Sequence, residues 1–267
     1  MNEHQAELLA DEVLAAFGQS KPPILFEPIA AEEGIELVEG DFGDEFQGRI
    51  EFLQEVRTFA VYHPKITTSR YPPRVRFSIA HEFGHYYIPE HREMLLHGIV
   101  HNSLDAFRHQ NQMEREADAF AAALLVPSQV LKARMGRRGF LSLQQILRLA
   151  EDCQASAQAT AFRYTRFTAE PHLAIISEKG LILHYFVSDE AGAIGFAGLG
   201  NVQVPAESAT MRTANNCNAR IEEGASQTER WFSDRQARAN LWEEAMRLGS
   251  SDRIITLLSW VDYHEET

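Results

Sequence analysis

Residues 77–89, FSIAHEFGHYYIP, set His81 and His85 four positions apart, with Glu82 directly after the first. On a helix this spacing puts both imidazoles on one face, about 6 Å apart along the axis, so both can reach one cation. Histidine nitrogens suit zinc, which lowers the pKa of a water to about 7, and Glu82 stands where it can take that water's proton as a carbonyl is attacked. The expected chemistry is metal-assisted hydrolysis, with His81 and His85 as ligands and Glu82 as the base. With 11 His and 28 Glu in the chain, the five-letter pattern arises by chance with a probability of about 0.05, so its neighbours have to support it.

They do so in three ways. Phe77, Ile79, Ala80, Phe83 and Ile88 make the surroundings apolar, and histidines in a buried helix need partners for their ring nitrogens. Gly84, between the base and the second histidine, lets another backbone approach closely. A catalytic zinc also takes three protein ligands and keeps one position open. Downstream, EREAD offers Glu114 as the third ligand, with Asp118 one turn later to hydrogen-bond a ligand histidine and fix its tautomer.

RFSIAHEFGH followed by EREADAFAAALLVP resembles the active-site core of the ImmA/IrrE family of metallopeptidases, specifically over about residues 48–127. Beyond that, the order and length of the segments resemble the longer IrrE-type members. The resemblance implies an α+β chain of three parts: a zincin-like peptidase domain (1–127), a helix-turn-helix-like helical segment (128–169) and a C-terminal GAF-like sensor domain (170–267). It implies His81, His85 and Glu114 as ligands of zinc or manganese and Glu82 as catalytic base. It further implies a cytoplasmic helix-turn-helix repressor as substrate, whose cleavage relieves transcription of stress-response genes. Glu116 is the alternative third ligand; Glu114 is preferred because only it has Asp118 at i+4.

The elements that must position these groups are legible in the periodicity. Leu8, Leu9, Val13, Leu14 and Phe17 recur at helical spacing, and a short helix around FEPIAAEEG ends at Gly34. IELVE, GRIEF and RTFAVYH alternate in period two and predict three strands. Two prolines before Arg74 start the motif helix, Pro89 ends it, and a polar, histidine-rich connection leads to a second long helix over MEREADAFAAALLVP. SQVLKARM, SLQQILRLAEDC and SAQATAFRYTRF predict helices, the last with Ser156 as N-cap. HLAIIS and LILHYFVS predict strands joined by an EKG hairpin, and residues 226–249 predict an amphipathic helix. RTFAVYH, the strand just upstream of the motif helix, is either an edge to which an incoming peptide adds or a strand paired on both sides. Tyr62, Arg76 and Tyr86 are candidates to stabilise an oxyanion. Trp231, Trp242 and Trp260 are expected in the core, and His91, His97, His101 and His109 are expected to face water.

Two cysteines, Cys153 and Cys217, form no disulfide framework, and the acidic N-terminus with no long apolar run predicts neither a signal peptide nor a membrane span. Net charge is -13 at pH 7, but residues 128–169 carry 7 Lys and Arg against 2 acidic residues. Arg134, Arg137, Arg138, Arg148, Arg163 and Arg166 supply the charge a DNA reader needs. Acidic flanks within a Debye length of about 8 Å oppose phosphate, so docking to protein is expected rather than DNA binding. The rival class is a non-enzymatic, DNA-binding transcription regulator whose metal site is structural.

Overall fold

The computed structural model describes residues 1–42, 48–69, 71–98, 101–103, 111–194, 199, 203–216, 220–232, 239–249 and 251–261. His109 and Cys217 lie outside them. The chain forms two compact units: Met1–Val130 with Ala150–Ser156, and Leu131–Leu149 with the chain from Ala157 onward. Among the described residues, no helix is long and apolar enough to cross a membrane.

The first unit runs α1 (Glu3–Ala16), α2 (Phe26–Glu33), β1 (Ile35–Gly40), β2 (Gly48–Leu53), β3 (Thr58–Pro64), α3 (Pro72–Tyr87), α4 (Pro89–Leu96), β4 (His101–Ser103) and α5 (Gln112–Leu125). Gly34 closes α2 in the left-handed conformation, with φ 67°, as its lack of a Cβ permits. Prolines in the first turn of α3 preset φ, and Ile88, held extended before Pro89, ends that helix and caps the next. The polar connection therefore contains α4 and β4, neither of which shows in its hydrophobic pattern. Asn111 caps α5 by accepting from Met113 N at 3.1 Å.

The sheet order is β1-β3-β2-β4, with β1 parallel to β3 and the other pairs antiparallel. This decides between the two readings of RTFAVYH: β3 is paired on both flanks and is not an edge strand, and β1 and β4 are the outer strands. Phe59 of β3 packs edge-on against Tyr86 of α3 at 5.0 Å, so alternate residues Phe59, Val61 and His63 share the face toward that helix. Phe26 meets Phe83 edge-to-face at 5.8 Å beneath it. Burying rings of this size contributes roughly 1.5–3 kcal/mol each.

The second unit holds most of α6 (Ser128–Met135) and α7 (Leu143–Cys153), then α8 (Ala157–Phe167). Gln154, with φ 51°, takes the left-handed turn position after α7 where no glycine is present. There follow β5 (His172–Glu178), β6 (Leu181–Val187), α9 (Asp189–Ala193), α10 (Ala209–Asn215), β7 (Glu222–Gln227), α11 (Thr228–Trp231), β8 (Asn240–Arg247) and β9 (Arg253–Trp260). They build an antiparallel sheet of order β6-β5-β9-β8-β7. Lys179 and Gly180, at φ 51° and 77°, make the expected hairpin.

The helix expected over 226–249 is a correction. Residues 240–247 are strand β8, hydrogen-bonded to β7 and β9, and only α11 is helical within the described part of that segment. Trp231 and Trp260 lie in the core, the latter stacked on Phe232 at 6.0 Å, whereas Trp242 is 39% exposed and is not a core residue. Arg163 is buried over the Phe167 ring and Arg166 lies over Phe162, so two of the six arginines are spent on packing within this unit.

Candidate metal centre

α3 presents His81 and His85 on one face and Glu82 on the next, and α5 brings Glu114 and Asp118 to them. What lets the two helices close is Gly84: a Cβ there would stand 3.1 Å from the Cα of Ala117, so the backbone of α5 occupies the space a side chain would need. All five polar residues are buried.

One ligand atom each from His81, His85 and Glu114 lie within 4.8 Å of one another. The two Nε2 atoms are 3.1 Å apart; Glu114 Oε2 is 3.5 Å from that of His81, and Oε1 is 3.6 Å from that of His85. Bonds of about 2.0–2.2 Å to a tetrahedral ion give ligand-to-ligand edges of roughly 3.3–3.6 Å, so the three groups fit zinc with little movement. In the metal-free chain the two ring nitrogens hydrogen-bond to each other beside the carboxylate, and a cation placed among the three would take all of them as ligands.

Asp118 Oδ1 lies 2.9 Å from His81 Nδ1, the contact that fixes which nitrogen points inward. Burial opposes a charge on His81, but the carboxylates of Asp118 and Glu114 outweigh it and hold its pKa at about 10. The pocket is thus built to hold positive charge. Glu82 is fully buried, and its Oε1 lies over Gly48 at the start of β2, where a Cβ would come within 2.9 Å. Nothing in local spacing points to Gly48, because its role depends on a contact between distant segments.

The remaining candidates fall elsewhere. Tyr86 donates to Glu33 at 2.8 Å and lies under Arg92; Arg76 donates to the Ile24 carbonyl at 2.8 Å and covers Phe26. Tyr62 pairs with Arg49 on the sheet face opposite Gly48 and Ile50. None of the three is brought to the triad. Glu116, the alternative ligand, holds His91 instead, at 3.1 Å. His91 is buried, correcting its expected exposure, and burial keeps its pKa below the usual histidine range despite that carboxylate. His97 is exposed as expected.

Residues 31–165 match the peptidase M78 family model, described as the IrrE N-terminal-like domain. No curated protein matches. A solved structure of a Mycobacterium tuberculosis transcriptional regulator is similar in fold, with a TM-score of 0.61 and 14% identity over 96% of this chain and 77% of that one.

Proposed function

The chain belongs to the peptidase M78 family of IrrE N-terminal-like domains, and on that premise we propose that it is a metal-dependent endopeptidase, with zinc as the metal and manganese as the alternative. The observation that carries this is the convergence of His81, His85 and Glu114 with Glu82 sealed beside them. His81, His85 and Glu114 would hold the ion, and Asp118 would keep His81 in the tautomer that offers Nε2. When bound, the ion supplies Lewis-acid activation of water and of the scissile carbonyl. Glu82 takes the proton of the attacking water and passes it to the leaving amide nitrogen. Gly48 leaves room for its carboxylate, which is fully buried.

The target we propose is a helix-turn-helix repressor, cut at one site in a regulatory setting; the family resemblance supports this, and the regulator description of the structural neighbour agrees. The helical segment 128–169 is proposed to dock protein, and the antiparallel sheet of the second unit to belong to a GAF-like sensor. The test is Glu82→Gln. It should leave metal stoichiometry unchanged in elemental analysis while cleavage of a candidate repressor falls by at least about a thousandfold. Cleavage that persists in this variant would show that Glu82 is not the base, whereas no cleavage by the unsubstituted chain, or a regulatory effect untouched by Glu82→Gln, would favour the non-enzymatic rival.

A further inference from the structure

His91 is a buried ring close to the triad that the mechanism above does not use. It occupies the first turn of α4, just past Ile88, and the change of direction there folds it back over α3. Its ring centroid lies 4.9 Å from that of His85, with 38° between the planes. Its Nε2 is 3.1 Å from Glu116 Oε2, and Glu116 Oε1 in turn accepts from Gln112 Nε2 at 2.8 Å. The other ring nitrogen, Nδ1, is buried without a hydrogen-bond partner among the described residues. A buried polar atom left unsatisfied is unfavourable, so the pose of this ring is set by Glu116 on one side and His85 on the other.

A ligand imidazole turns readily about its Cβ–Cγ bond, because that torsion is broad. Freedom of this kind must be surrendered when a cation is bound, which weakens binding unless the ring is already held. Asp118 restrains His81 in this way. We propose that Gln112, Glu116 and His91 form a positioning device for His85, holding the tilted His91 ring against that of His85 so that His85 Nε2 stays directed toward His81 and Glu114. Gln112 and Glu116 are one turn apart on α5, so the helix that supplies the third ligand also braces both imidazoles. The inference rests on the metal-centre reading.

The test is cobalt(II) affinity by chelator competition, with the visible spectrum of the cobalt form and the melting temperature of the metal-free chain measured alongside. His91→Ala should weaken cobalt binding by about 10–100-fold and alter the absorption bands. Glu116→Gln should weaken it less, in the same direction, and His91→Phe, which keeps a flat ring, should recover most of the affinity. Affinity unchanged within about twofold in His91→Ala, with only the melting temperature lowered, would overturn the inference and leave His91 as packing. If His91→Ala does not fold, Glu116→Gln decides by the same threshold. Cobalt binding that His81→Ala abolishes but His91 and Glu116 do not affect overturns this inference alone. No cobalt binding by the unsubstituted chain overturns the metal-centre reading and this inference together.

Discussion

His81 is where the electrostatics of the site become measurable. Its pKa of about 10 in the metal-free chain, against an ordinary 6.5, means that a bound cation must displace a proton throughout the neutral range. Cobalt affinity should therefore rise about tenfold per pH unit between pH 7 and 9 and level off toward pH 10, as isothermal titration can show. The same shift acts on the metal-free fold with the opposite trend: a raised folded pKa adds stability that is complete below about pH 6.5 and is lost as pH climbs through 10. At this scale the sequence was legible wherever the signal was local. Two histidines four apart, and Glu114 four before Asp118, follow from helix geometry alone. Gly48 and His91 were not legible, since one depends on a strand meeting a distant helix and the other on a turn at Ile88 that folds a polar stretch inward.

Among the elements, α3 and α5 carry the site, and Gly84 sets their separation. Gly84→Val would push into the Ala117 backbone, where a Cβ is already at 3.1 Å, and should cost roughly 2–3 kcal/mol in urea unfolding. Because α5 carries Glu114, metal affinity should fall with it. Helices with clear caps and prolines were legible from sequence, as were β1 to β3. What hid β8 was composition: Ala, Glu, Met and Arg favour helix, yet pairing with β7 and β9 on both sides overrides that preference. Its two buried acids found partners suited to a strand, Glu243 accepting from Thr210 N at 2.8 Å and Glu244 from Leu143 N at 3.1 Å on the opposite face.

For the whole molecule, Glu114, the proposed third ligand, lies about thirty residues from His81 and His85, on another helix, so a bound ion would join segments that the chain alone brings together only by folding. Chelation should lower the melting temperature of the intact protein, and restoring zinc at 100 times its Kd should return about 2.7 kcal/mol. An unchanged melting curve would mean that the ion is not held by both helices. The confinement of β3 between neighbours bears on the proposed substrate as well. A chain joining this sheet by backbone hydrogen bonds can be received only along an outer rim, as a drawn-out ribbon. Under the proposed peptidase reading, a helical substrate would have to unwind locally before its backbone could be received there.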